Sequence, residues 1–233
     1  MAVTYELDNG VAHVRMDDGK ANVLNDESLA GLEDALVRAK ADRAGALVIW
    51  GRPRCVSGGI DLELVRVPDA AARTASLRRI ARGLLALWNA PLPTVAAVSG
   101  HAVAGGAVLA LACDWRIAAD VDANIGLTET AIGLVMPTWA TVIAQGALGT
   151  VAAEEAILGA AVLSPRGAAE RGFVHEVVAG ERFPARVTEF AAELTELPTP
   201  VYGATKRRLH RAATERAEAL VDAEMGPGFA PQA

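Results

Sequence analysis

One glutamate stands in an otherwise uncharged stretch of this sequence. From Asn124 to Pro137 the chain reads NIGLTETAIGLVMP, in which Glu129 is the sole ionisable side chain. A carboxylate among apolar residues costs free energy unless it is stabilised. Burial also raises the pKa of a carboxyl group and makes its ionised form a stronger base. The stretch therefore suggests a proton-transfer role for Glu129. The alternative is a structural acid that caps a helix or pairs with an arginine.

Two glycine-containing turns follow apolar, strand-like runs. They read CVSGGID at 55–61 and SGHAVAGGA at 99–107, and the second leads into a helical pattern. Adjacent glycines accept positive φ and let the backbone come close to a ligand. The first amides of a helix point outward, unpaired and partly positive. The pattern indicates an anion-stabilising device made of backbone. It is not a P-loop, because no Gly-Lys-Ser/Thr follows. The alternative is a pair of tight turns that only pack.

Other residue patterns that could indicate catalysis or binding are weak. The four histidines are scattered and show no metal-ligand spacing, and no Gly-x-Ser-x-Gly elbow is present. The cluster KRRLHR at 206–211 lies on the last predicted helix, where it is either a solvated face or a phosphate-binding group. We therefore predict no metal site.

The composition describes a globular chain. It has 233 residues, 52% of them hydrophobic, and a formal net charge of −6, which disfavours wholesale nucleic-acid binding. The two cysteines lack disulfide or metal spacing, and the first residues show no signal peptide, so we expect a cytoplasmic protein. The uncharged run 91–113 is interrupted by prolines and glycines. It predicts a strand, a turn and a helix in a soluble core rather than a membrane span.

The periodicity orders the elements that must position these residues. Asn9-Gly10 between two alternating runs predicts a hairpin, and Asp26 is expected to cap a helix that ends near Lys40. Further strands are predicted at 46–50, 94–99, 115–118, 123–126 and 174–178, and helices at 70–88, 107–112, 151–158, 165–171, after 183 and at 202–224. Interleaved strands and helices followed by helices alone predict an α/β core over 1–183 and a C-terminal helical region over 184–233.

Three ordered motifs together resemble the crotonase, or enoyl-CoA hydratase/isomerase, superfamily. They are CVSGGIDL, AVSGHAVAGGAVLALACDWRIAA and IGLTETAIGL, and the resemblance extends from MDDGKANVLN to ATKRRL. It implies a spiral of ββα units with a C-terminal helical region that builds homotrimers or dimers of trimers. It also implies an acyl-CoA thioester substrate, and no cofactor beyond the coenzyme A of that substrate.

The resemblance also assigns roles to residues. Glu129 is the implied acid/base, and the backbone N–H groups of Ile60 and Gly105 form the implied oxyanion hole. The implied substrate-binding residues are Lys20, Ala21, Val23, Ser57, Gly58, Gly59, Asp61, Leu62, Val108, Thr128 and Lys206. We further expect the helix at 70–88, Met136 and Trp139 to shape the pocket for the acyl tail.

Two departures from the family pattern indicate which of the family's reactions to expect. Hydratases of this superfamily use two glutamates, and this chain has Val108 at the first of those positions and Thr128 where hydratases commonly have proline. The motif around Glu129 is more similar to the single-glutamate Δ3,Δ2-enoyl-CoA isomerase branch. A 1,3-proton shift needs one group that takes a proton at C2 and returns it at C4. We therefore predict an enoyl-CoA isomerase of fatty-acid metabolism. The alternatives are a hydratase or another thioester reaction, and a non-catalytic acyl-CoA-binding protein.

Overall fold

A computed structural model describes residues 2–61, 63–64, 68–226 and 228–229. Its strands are β1 (Ala2–Asp8), β2 (Val11–Asp17), β3 (Ala46–Trp50), β4 (Arg54–Ser57), β5 (Thr94–Val98), β6 (Gly100–Val103), β7 (Trp115–Asp120), β8 (Ile125–Gly126) and β9 (Glu176–Ala179). Its helices are α1 (Asp26–Ala41), α2 (Ala70–Trp88), α3 (Gly105–Leu111), α4 (Thr138–Leu148), α5 (Thr150–Gly159), α6 (Pro165–Glu170), α7 (Phe183–Thr195) and α8 (Thr199–Glu224), with a 3₁₀ turn at Thr130–Ile132. No helix in these ranges is long and apolar enough to span a membrane.

The first elements follow from local sequence chemistry. β1 and β2 pair antiparallel around a turn in which Asn9 and Gly10 both have positive φ, as predicted for Asn-Gly. The expected cap of α1 is wrong by one residue. The Asn25 side chain accepts from the Ser28 N–H while the Ser28 hydroxyl accepts from the Asn25 N–H, which makes Asn25 the N-cap and Asp26 the first helical residue.

Two sheets organise the core. The larger has the order β1-β2-β3-β5-β7-β9 and is parallel except for the β1–β2 hairpin. The smaller is parallel, with the order β4-β6-β8. In each of the consecutive pairs β3/β4, β5/β6 and β7/β8, the first strand therefore belongs to the larger sheet and the second to the smaller sheet. This arrangement is the expected spiral of ββα units.

Alternate side chains of the larger sheet enter two apolar layers. One layer holds Val14, Leu47, Ile49 and Ala96 against the helices and the smaller sheet. The opposite face, with Val48 and Val95, is covered by the apolar face of α7, in which Val187, Ala191 and Leu194 are buried. A parallel sheet that is covered on both faces explains the continuous apolar runs of its strands.

Two elements differ from the sequence prediction in ways that matter for the site. Residues 100–103 form β6 instead of a turn, because Gly100 packs against the Arg54 backbone of β4, where a side chain would not fit. Helix α4 is not among the predicted helices, because its β-branched residues and Gly146 are weak helix formers and it has few polar residues to mark an exposed face. The last helix begins at Thr199, with Pro200 tolerated in its first turn.

Candidate active site

The smaller sheet brings the three motifs to one edge. β4 and β8 both pair with β6 in parallel, so the carboxyl ends of all three strands point the same way. β4 ends at Ser57 and continues into the first glycine turn, and β6 ends at Val103 before the second turn. β8 ends at Gly126, just before Glu129. Parallel pairing therefore gathers segments that lie far apart in the sequence.

The two glycine turns lie against each other. A Cβ atom added to Gly105 would lie 3.3 Å from the Ile60 nitrogen, and one added to Gly59 would lie 3.1 Å from the Gly105 nitrogen. The N–H groups of Gly59 and Asp61 donate to the Ser57 hydroxyl and to the Leu24 carbonyl, respectively. Neither the Ile60 N–H nor the Gly105 N–H has an acceptor among the described residues. Two adjacent unpaired donors are suited to hold an oxyanion.

The backbone before Gly105 adopts an unusual conformation. Ala104 has φ 50° and ψ −129°, a region that L-residues rarely occupy and that typically costs about 1–3 kcal/mol. The Ala104 N–H donates to the Gly126 carbonyl, and its own carbonyl accepts from Ala107 and Val108. These bonds hold the reversal that starts α3 at Gly105. Gly106 must lack a side chain, since a Cβ there would lie 2.1 Å from the Ser57 carbonyl oxygen.

Glu129 is buried at the same edge. Glu129 is only 9% exposed, and its Oε2 atom has no hydrogen-bond partner within the described part of the chain. Burial raises the pKa of its carboxyl group, and nearby backbone amides of Glu129 and Thr128 offset part of that effect. The neighbouring 3₁₀ turn is fixed by the Glu129 carbonyl, which accepts from the Leu134 N–H at 2.9 Å. A desolvated carboxylate with one unpaired oxygen is a candidate general base.

The amides and Glu129 share one cavity of about 240 Å³. The glycine turns contribute Gly58, Ile60, Val103, Ala104 and Gly105. Thr128 and Glu129 form a second wall, and the remaining wall is apolar, with Ile132, Leu134, Pro137, Trp139, Ala140 and Phe229. Glu129 is the sole ionisable side chain of this lining in the described structure. No described group of three or more His, Cys, Asp or Glu residues could hold a metal ion.

The segment that contains Lys20, Ala21 and Val23 runs beside the first glycine turn without lining the cavity. The Ala21 carbonyl accepts from the Gly58 N–H at 2.7 Å, and Leu24 donates to Gly59. The Asp18 carboxylate accepts from the Lys20 and Val23 amides and shapes the segment. The segment thus packs against the first glycine turn.

Three other predicted binding residues do not line the cavity. Ser57 is fully buried and organises the turn through its hydroxyl. Asp61 caps the next residues by accepting from the Glu63 N–H. Val108 is fully buried within the main core and does not line the cavity. Leu62 lies outside the described residues. Of the residues expected to shape the tail pocket, Trp139 lines the cavity, whereas Met136 borders a separate surface groove and α2 does not contribute to the described lining.

Lys206 does not belong to an exposed basic cluster. It is 4% exposed, and its ammonium group donates to Asp114 at 2.8 Å. The Asp114 carboxylate also accepts from the backbone and hydroxyl of Thr94. Arg207 and Arg208 are exposed and border a different depression. The expectation that these three side chains form one exposed cluster is therefore wrong, because Lys206 points inward.

Part of the apolar wall had no signal in the sequence. Phe229 follows the end of α8, so its position depends on how that helix docks. The docking is set at the start of α4, where the Thr138 N–H and hydroxyl each donate to the Glu224 carboxylate at 2.6 Å. Trp139 donates its indole N–H to the Met225 sulfur at 3.0 Å. These contacts join residues 86 positions apart, beyond the reach of local patterns.

Several known proteins are similar to this chain in sequence and in fold. Residues 6–226 match the family described as enoyl-CoA hydratase/isomerase. Human mitochondrial enoyl-CoA delta isomerase 1 is 29% identical over 93% of this chain and 72% of its own length. The crystal structure of human mitochondrial delta3-delta2-enoyl-CoA isomerase superposes with a TM-score of 0.90, at 29% identity, over 96% of this chain and 88% of that one.

Two further relatives have names that describe other reactions. A putative enoyl-CoA hydratase of Thermus thermophilus is 35% identical over 77% of this chain and 70% of its own length. The 4-chlorobenzoyl coenzyme A dehalogenase-1 of an Arthrobacter species is 30% identical over 96% of this chain and 83% of its own length.

The spiral of two sheets, with a backbone donor pair at one edge, defines the crotonase fold. The chain belongs to the enoyl-CoA hydratase/isomerase family and is a crotonase-type acyl-CoA enzyme with isomerase-like relatives.

Proposed function

We propose that this protein is an enoyl-CoA isomerase that converts 3-enoyl-CoA into 2-trans-enoyl-CoA with Glu129 as its single acid/base. The observation that supports this most strongly is the composition of the cavity. Its described lining contains two unpaired backbone donors and one ionisable side chain. The similarity to a protein named as an enoyl-CoA delta isomerase points the same way.

The proposed reaction moves one proton. The Glu129 carboxylate removes a proton from C2 of the substrate, and the electron pair shifts onto the thioester oxygen to give a dienolate. The N–H groups of Ile60 and Gly105 stabilise that oxyanion, at about 10²- to 10³-fold in rate per donor. The protonated Glu129 then returns the proton to C4, and the double bond moves to C2–C3. General base catalysis adds about 10²- to 10⁴-fold.

Val108 argues against efficient hydration. Addition of water needs one group that activates the water and another that protonates the carbon. A fully buried valine on α3 supplies neither. The hydratase stays the main alternative, and a non-catalytic acyl-CoA-binding protein is the other.

Glu129→Gln tests the proposal. The amide is nearly isosteric but cannot accept the proton, so isomerisation of 3-octenoyl-CoA should fall by at least about 10²-fold while acyl-CoA binding persists. Wild-type protein should be assayed beside it for hydration of 2-octenoyl-CoA. Residual isomerisation within about tenfold of wild type would show that Glu129 is not the base. Wild-type hydration that is faster than isomerisation would favour the hydratase.

The expected assembly into homotrimers or dimers of trimers stays a prediction, as do the cytoplasmic location and the lack of a cofactor. Light scattering of the purified protein would test the assembly.

A further inference from the structure

One large side chain forms part of the apolar lining of the cavity. Trp139 lies in the first turn of α4, is 2% exposed and lines the cavity. It also belongs to the main core. The cavity therefore cannot extend past the indole ring without displacing packed side chains, which protein interiors resist.

The indole is held in place from behind. Its N–H donates to the Met225 sulfur at 3.0 Å, and Met225 is completely buried. The adjacent Thr138 is bonded through its N–H and hydroxyl to Glu224. A carboxylate at a helix N-terminus is electrostatically favourable, so this contact joins the end of α8 to the start of α4. Rotation of Trp139 away from the cavity would break the N–H···S contact and move Met225.

The size of the cavity sets a limit on the acyl group. At about 240 Å³, the cavity is smaller than the roughly 300–1,000 Å³ that is typical of small-molecule pockets. It must also hold the thioester group, so it leaves little room for a long acyl tail.

We propose that Trp139 sets the acyl-chain specificity of this enzyme and restricts it to short and medium acyl chains. The kinetic test of this inference rests on the proposed isomerase function, whereas the limit on chain length is itself a property of binding. A chain that exceeds the cavity must leave carbons in water or displace the wall. In a hydrophobic pocket a single methylene changes specificity by about 10- to 200-fold.

The test compares chain lengths in wild-type protein and in variants of two tryptophans. Wild type should isomerise 3-octenoyl-CoA with a kcat/KM at least about tenfold above that for 3-dodecenoyl-CoA. Trp139→Ala should bring the two values to within about threefold of each other. Trp139→Phe, which keeps an aromatic ring and protects folding, should give an intermediate ratio. Trp88→Phe is the matched control, because Trp88 is also buried but lies outside the cavity, and its ratio should equal that of wild type.

Calorimetric binding of octanoyl-CoA and dodecanoyl-CoA separates this inference from the proposed reaction. These saturated thioesters cannot isomerise, yet they should show the same preference and the same change on Trp139→Phe. A changed binding ratio without any isomerisation would support the Trp139 limit and refute the isomerase. Equal wild-type affinity for both ligands, or Trp139 variants with the wild-type ratio, would overturn the inference.

Discussion

Replacement of Glu129 by glutamine should stabilise the protein at neutral pH while it removes activity. The Glu129 carboxylate is buried, and its Oε2 atom is unpaired in the described structure. An unpaired charge costs more free energy to bury than a neutral polar group. Glutamine keeps the volume and leaves a buried amide, so it removes only the cost of the charge. The variant should therefore gain about 1–3 kcal/mol in free energy of unfolding at neutral pH, the usual scale for one carboxyl group whose pKa differs between the folded and unfolded states.

The sign of the pH dependence follows from the raised pKa of Glu129 in the folded state. Below the unfolded pKa, about 4.3, both states bind the proton and the charge has no effect on stability. As the pH rises, the unfolded chain releases the proton first, so wild type loses stability until the folded carboxyl has also ionised. The gain of Glu129→Gln should thus be near zero at pH 4 and grow to a plateau above the raised pKa.

Thermal unfolding at several pH values measures this difference. One kcal/mol corresponds to about 2–4 °C for a chain of this size, so the variant should melt about 2–12 °C above wild type at pH 8. Glu218→Gln is the control, because Glu218 is exposed on α8 and should show little change at any pH. A melting difference that stays constant from pH 4 to pH 8, or a less stable variant at pH 8, would refute the argument. The same raised pKa should appear in catalysis. The pH profile of kcat/KM should fall on its acid side with a pKa above the usual range for a carboxyl group.

Two further substitutions test other parts of the structure. Gly105→Ala would place a methyl group 3.3 Å from the Ile60 nitrogen, between the two proposed oxyanion donors; kcat/KM should fall about 10²- to 10³-fold with little change in melting temperature. Normal kinetics in the folded variant would exclude this donor pair. Lys206→Met would leave the partly buried Asp114 carboxylate without its cation but still bonded to Thr94, so stability should fall by about 1–3 kcal/mol. Arg207→Met, at an exposed neighbour, should be nearly neutral in thermal unfolding. A raised KM for acyl-CoA in a Lys206→Met protein of unchanged stability would instead support the phosphate-binding role.

Local signals account for the elements that the sequence predicted well. Ala70–Trp88 has helical periodicity over many residues, and the Asn9-Gly10 turn needs positive φ at two positions. The three motifs also indicated which segments meet, although only through resemblance to a family. The pairing of β4, β6 and β8 supplies the physical reason, because it places three strand ends side by side.

The parts that could not be predicted depend on long-range packing. Lys206 is followed directly by Arg207 and Arg208, and nothing in the local sequence distinguishes the side chain that is buried against Asp114 from its two exposed neighbours. The cavity wall is a similar case, because the first turn of α4 is bonded to Glu224, which lies 86 residues further along the chain. Such contacts form only after the fold has brought distant elements together.

The division of labour at the site explains why the fold alone does not identify the reaction. The proposed oxyanion donors are backbone groups, and their positions depend on glycines and on strand pairing rather than on reactive side chains. A change at Glu129 can therefore alter proton transfer while the turns stay in place. Changes at Trp139 can alter which acyl chain fits without affecting either. Relatives named as an isomerase, a putative hydratase and a dehalogenase are consistent with such a separation. The reaction must be argued from the few side chains around the backbone donors, and here those side chains offer a single carboxylate.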